Sequence, residues 1–181
     1  MPGDPCSDLS TWGSEGGSYS FDGQYRWSFE RTIGHHRRTI CWIGLYPTTL
    51  DTGGGNRRTL QRMCRFSQEL GMGRLLLVNL FSLRCGDLAE LRAAAAHDME
   101  RAVGAETNAR IIDAAHRSDR IIASWGNHGD IGARSRALLE VLPSQQRKRL
   151  QCLGVTASGE PRQPGRLPNP LQLVPFELSR S

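Results

Sequence analysis

A three-layer α/β/α domain around a central, mainly parallel four-stranded sheet is the fold class this sequence predicts. Three observations carry it. Four apolar runs of strand length recur along the chain, and their cores are apolar throughout rather than alternating, as in strands buried on both faces. Helical patterns separate the runs, which gives βαβ connections and right-handed crossovers. The length of 181 residues suits one full hydrophobic core.

Residues 1–17 are polar and rich in Gly, Ser and Pro, so a disordered tail is predicted there. Residues 18–181 are then a single α/β domain. "YSFDGQYRWSFERTI", Tyr19 to Ile33, alternates aromatic and polar residues around Asp22-Gly23, which predicts a hairpin or a pair of edge strands with a type I′ turn. "GHHRR", Gly34 to Arg38, is the next loop.

The first apolar run, "TICWIGL", is Thr39 to Leu45. It breaks at Gly44 and Pro47 and leads through Gly53-Gly54-Gly55. A helix follows over "TLQRMCRFSQELG", with Leu60, Met63, Cys64, Phe66 and Leu70 near one stripe and Gly71 as its stop. The second run, "RLLLVNLF", is Arg74 to Phe81. Asp87 is a plausible N-cap for "DLAELRAAAAHDM". "ETNARIIDAAHRSD" is helical, and the third run, "DRIIASWG", is Asp119 to Gly126. "ARSRALLEVLPS" is a helix ending at Pro143, and the fourth run, "RLQCLGVT", is Arg149 to Thr156. The tail from "GEPRQPG" onward holds five of the nine prolines and is predicted to run extended over the surface.

No apolar stretch reaches the ~18 residues of a membrane helix, and the N-terminus lacks the basic start and apolar stretch of a secretory signal. A soluble, cytoplasmic protein is therefore expected. Of the five cysteines, no pair is spaced C-x-x-C, so neither a disulfide framework nor a structural zinc site is expected. Cys41 and Cys152 read as small core residues. The net charge is +5 and almost wholly arginine, with one lysine, Lys148. That excess is either a solvated basic surface or a set of phosphate contacts.

In an open α/β sheet, ligands sit outside the carboxyl ends of the strands. The residues following each run are polar or aromatic, unlike the strand bodies. Gly44, Tyr46, Pro47 and Asp51 follow the first; Asn79 and Phe81 close the second; Trp125, Asn127 and His128 close the third; Arg162 and Gln163 follow the fourth. Asn79 either caps a neighbouring loop or bonds a ligand edge, because a buried amide needs partners. Trp125 either packs in the core or offers a stacking surface. His128 is either a surface histidine or an acid-base or phosphate group. The glycine run matches neither G-x-x-x-x-G-K-[ST] nor G-x-G-x-x-G. No motif calls for a cofactor or a metal.

The ordered blocks "CWIGLYPTTLD", "RTLQRMCRF", "GRLLLVNLFSLRCGD", "AVGAETNARI", "IIASWGNHG" and "LGVTASGEPRQP" resemble a bacterial family known as domain of unknown function 1643. The resemblance covers roughly Tyr25 to Phe176. More distantly, the layout is similar to the uracil-DNA glycosylase superfamily. That second likeness implies a base-sized pocket over the strand ends, with Gly44 and Pro47 turning the loop beneath a base or sugar. It also implies a water-positioning residue and a leaving-group residue. Here the chain departs: Tyr46 stands where the family of unknown function has Asn, and Gln163 where it has His. "RRT", Arg57 to Thr59, stands in place of Asp-Pro-Thr. Asp51 is the nearest carboxylate to the first site.

Two functions follow as expectations. One is an N-glycosidic hydrolase. It would hold a base between Tyr46, Phe81 and Trp125, read it with Asn79, and polarise the leaving group with His128 or Gln163. The other is a binding module without turnover for a nucleobase, nucleotide or nucleic acid. In either, Arg57, Arg58 and Arg62 would hold phosphate.

Overall fold

The computed structural model describes Cys6, residues 16–48 and residues 57–177. Seven strands form one sheet: β1 (Gly17–Tyr19), β2 (Arg26–Thr32), β3 (Thr39–Gly44), β4 (Arg74–Asn79), β5 (Arg120–Ala123), β6 (Leu150–Cys152) and β7 (Val174–Pro175), in the order β1-β2-β4-β3-β5-β6-β7. β3 pairs in parallel with β4 and β5, and β5 in parallel with β6. β2 adds antiparallel to β4, β1 to β2, and β7 to β6. The sheet has seven strands where a central four with an N-terminal hairpin or pair of edge strands were expected; β1 and β2 are the antiparallel pair at one edge, β2 against β4.

Alternation along the strands divides the core in two. Ile40, Trp42, Leu75, Leu77 and Ile122 pack with Met63, Cys64 and Phe66 of α1 (Arg57–Glu69). Cys41, Ile43, Leu76, Val78, Ile121 and Ala123 pack on the other face. There they meet Leu91 of α2 (Leu88–His97), Ala102 of α3 (Met99–Val103), Ile111 of α4 (Thr107–His116) and Leu138 of α5 (Arg134–Val141). A short α6 (Ser144–Lys148) leads into β6. Every residue of β3 is buried, which is why its sequence carries no polar alternation.

Local chemistry sets the ends. Asp87 accepts the Glu90 N–H at 2.9 Å while Glu90 reaches back to the Gly86 N–H at 2.5 Å, a reciprocal cap at the start of α2. The turn before β2 is closed by the Gly23 N–H on the Ser20 carbonyl at 3.0 Å. Gly23 has φ +70° while Asp22 is not left-handed, so the predicted type I′ turn is corrected to one with a single left-handed residue. The Asp22 carboxylate takes the Ser20 hydroxyl at 2.6 Å and the Gln24 N–H at 3.1 Å. These bonds, the hydroxyl's first, hold its pKa below the ordinary value.

One expectation changes at the chain's periphery. Cys6 and Cys64 are joined by a disulfide across 58 residues, both buried; a separation that long leaves no local signature in the sequence. The proline-rich tail is largely irregular, with residues 167–175 exposed or half-buried. It contributes β7, and Phe176 beyond it is buried, its N–H on the Leu150 carbonyl at 2.9 Å. The predicted disordered tail and Gly53-Gly54-Gly55 lie outside the described residues, apart from Cys6 and Gly16-Gly17. Among the described residues, no helix is long and apolar enough to cross a membrane.

Candidate functional site

β3 and β4 end side by side, with Gly44 opposite Asn79. Ser124 follows β5 at the same edge of the sheet. Over these ends lies a cavity of about 240 Å³. Gly44, Tyr46 and Thr48 line it from the loop after β3, and Thr59, Leu60 and Met63 from α1. Leu45, Leu77, Asn79, Ser124, Leu88, His128, Gln163 and Arg26 complete the wall.

Asn79 is 3% exposed, and its Nδ2 has no hydrogen-bond partner among the described residues. Such a group costs about 1–3 kcal/mol. A Cβ at Gly44 would stand 2.7 Å from Asn79 Oδ1, so only glycine leaves the carboxamide its room. Ser124, next to it, is already engaged: its hydroxyl donates to the Ile43 carbonyl at 3.1 Å.

The cavity shares Thr59, His128 and Gln163 with a wider groove of about 670 Å³ that also takes in Arg58, Gly126, Asn127, Thr156 and Arg162. Arg58 and Arg162 are exposed there, and Arg162 Nε donates to the Val155 carbonyl at 2.9 Å. Asn127 Oδ1 accepts from the Ser158 hydroxyl at 3.0 Å. His128 sits on the short 3-10 segment after β5, with Nδ1 3.2 Å from Arg92 Nη2.

Of the sequence candidates, Gly44, Tyr46, Asn79, His128 and Gln163 therefore meet at one cavity, and Arg58, Asn127 and Arg162 at the adjoining groove. Others do not. Trp125 is wholly buried, its indole N–H on Glu160 Oε2 at 2.5 Å and its ring edge-on to Phe176 at 5.6 Å. Glu160 also accepts the Ser135 hydroxyl at 2.7 Å. Of the two roles open to Trp125, the structure has core packing. Phe81 is likewise wholly buried in the core. Pro47 is buried, its carbonyl taking the Cys85 N–H at 3.2 Å. Arg62 donates to the Leu167 carbonyl and to Asn169 Oδ1, so it ties down the tail rather than facing the groove. Asp51 and the Arg57 side chain lie outside the described residues.

Arg26, Leu88 and Ser124 went unforeseen. Arg26 is 5% exposed and opens β2. Because β2 runs antiparallel to β4, its first residue lies beside the carboxyl ends of the parallel strands. The arginine just before "WSFERT" was the available signal, had the strand's direction been known.

Thiol chemistry is poorly supplied. Burial pushes Cys85 up to about 11 and Cys41 up to about 12, so both are protonated near neutral pH. Burial also lowers Arg134 to about 10. Its guanidinium holds the Leu80 carbonyl at 2.8 Å and Asn108 Oδ1 at 2.5 Å, which fixes the chain just after Asn79. Among the described residues, no group of three or more His, Cys, Asp and Glu side chains is arranged to hold a metal.

Fold and site together define an α/β protein with a cleft of mixed polar and apolar lining over the carboxyl ends of parallel strands. The chain belongs to the family described as protein of unknown function (DUF1643), whose model matches residues 26–164. That span runs from Arg26 past Gln163 and so encloses the whole cavity lining. No curated protein and no solved structure matches the chain.

Proposed function

We propose that the cavity binds a nucleobase and the adjoining groove its phosphate, so that the protein recognises a phosphorylated nucleobase ligand. The observation that carries this reading is the buried, unpartnered Nδ2 of Asn79 in the cavity wall. A ligand acceptor placed there would complete a hydrogen bond the fold leaves open. Size agrees. Drug-sized ligands occupy pockets of ~300–1,000 Å³, so a cavity of about 240 Å³ suits a fragment such as one heterocycle. The groove, with Arg58 and Arg162, would take the charged remainder. The distant similarity of layout to the uracil-DNA glycosylase superfamily would imply the same arrangement.

Binding without turnover is the better reading. Tyr46 stands where the resemblance puts a water-positioning residue. Gln163 stands at the leaving-group position, and its Nε2 already donates to the Trp125 carbonyl at 3.0 Å. N-glycosidic hydrolysis keeps one observation in its favour: His128 lines the cavity and could act on a leaving base.

Thermal-shift and calorimetric titration with bases, nucleosides and nucleoside monophosphates tests the reading. A ligand at 100 times its Kd stabilises by about 2.7 kcal/mol. Monophosphates should bind more tightly than bases, with an affinity that falls as salt rises. No binding of any nucleotide-like ligand at millimolar concentration overturns it. Robust uracil excision, lost on His128→Ala, would favour the hydrolase.

A further inference from the structure

His128 stands where the cavity and the groove meet, and it lines both. Its ring is held from α2. Leu88, the first residue of that helix, lines the cavity. Arg92 follows it by four residues, so the two share one face of the helix a turn apart. From there Arg92 Nη2 reaches to 3.2 Å from His128 Nδ1. Among the described residues Arg92 forms no ion pair with a carboxylate. The carboxylates at the start of α2, Asp87 and Glu90, take backbone N–H groups instead.

That contact places a hydrogen. An arginine side chain has N–H donors and no acceptor, so Nη2 donates and Nδ1 accepts. A neutral imidazole carries hydrogen on one ring nitrogen and accepts at the other, which puts the hydrogen on Nε2. An imidazolium would set two donors face to face. The ring therefore has an N–H to offer a ligand. Gln163 Nε2, the neighbouring donor, is committed to the Trp125 carbonyl at 3.0 Å, whereas Asn79 Nδ2 has no partner among the described residues. The site thus presents two N–H donors, one in the cavity wall and one where the cavity opens into the groove. Both call for acceptors on the ligand.

We propose that Arg92 is a positioning residue: it holds His128 in the Nε2–H form, as a hydrogen-bond donor to a ligand oxygen, either of a phosphate or of a ring oxo group. The proposal rests on the reading of cavity and groove as a nucleotide site, and adds which way the histidine's hydrogen bond runs. Arg92 is outside the lining of both the cavity and the groove, so it acts through the ring.

The test has a ligand-free arm and a binding arm, both on the full chain. Nitrogen NMR of the labelled imidazole at about pH 8, above the ordinary imidazole range, should show His128 with an acceptor Nδ1 and a protonated Nε2. Arg92→Met should move both resonances toward the average of the two tautomers, and Arg92→Lys, which keeps a donor, should hold them. A protonated Nδ1 in the unaltered protein, or spectra indifferent to Arg92→Met, overturns the proposal. In calorimetry, Arg92→Met and His128→Ala should each weaken nucleoside monophosphate binding about 2–10-fold, and the double variant should bind no worse than His128→Ala. Losses that multiply would make Arg92 a direct ligand contact and overturn the proposal, as would no loss on His128→Ala. An equal loss with the free base assigns the acceptor to the ring; a loss confined to the monophosphate assigns it to the phosphate. The expected spectra without binding of any nucleotide-like ligand would remove the nucleotide reading and the ligand oxygen with it, while leaving the hold of Arg92 on His128 in place.

Discussion

Asn79 closes β4 and Trp125 follows β5, on either side of β3, and both are buried side chains that carry an N–H donor. Their surroundings differ. Trp125 has its N–H on Glu160, its carbonyl taken by Gln163 and its ring packed on Phe176. Asn79 has an amide nitrogen with no partner among the described residues and open space in front of it. A buried polar group that is fully bonded stabilises the fold. One that is left open at a cavity wall lowers stability and is positioned for something else. Neither outcome follows from residue type or from position along the strand.

The largest effect should come from removing the partner at the bonded end. Glu160→Ala leaves the Trp125 indole and the Ser135 hydroxyl without their acceptor. Urea denaturation should show a loss of about 2–4 kcal/mol. A loss under about 0.5 kcal/mol, the range of an indifferent surface change, would break the contrast at its stronger half.

Gly44→Ala comes next. Its Cβ would press on Asn79 Oδ1 at 2.7 Å. Overpacking of this kind costs about 1–3 kcal/mol, and it should also turn the carboxamide and weaken nucleotide binding. Unchanged affinity would mean that the carboxamide's pose does not matter to the ligand.

Asn79→Ala sharpens the contrast further. Stability should move by less than about 1 kcal/mol, since an unpaired group is removed. Ligand affinity should fall about tenfold or more, which is about 1.4 kcal/mol. The opposite pattern, lost stability with intact affinity, would make Asn79 a structural residue like Trp125.

The arginines give the smallest effects. Arg58→Ala and Arg162→Ala should each shallow the salt dependence of binding by about one released counterion, with little change in melting temperature. Arg62→Ala should do the reverse, because its guanidinium holds Leu167 and Asn169.

How much of this was legible in the sequence divides along the range of the interactions. β3, β4 and β5 and the helices α1, α2, α4 and α5 were readable, because continuous apolar runs and helical stripes are local. Asn79 stood out because it interrupts "LLLVNLF". Trp125 stayed ambiguous because its fate depends on Glu160, 35 residues away. β7 was hidden in two residues, one of them a proline, and Arg26 by the unknown direction of β2. Arg62 looked like a phosphate contact only while the path of the tail was unknown.

The bond between Cys6 and Cys64 makes the chain between them a closed ring that contains β1, β2 and β3. On the chain-entropy account, a ring closed across a sequence separation of 58 removes about 4 kcal/mol of freedom from the unfolded state. It also gives the molecule a mechanical property. A single protease cut anywhere inside the ring leaves two pieces still tethered, with the first wall of the cavity attached to α1. Only a reductant lets them separate. On a gel, nicked protein should therefore run as one covalent molecule until thiol is added.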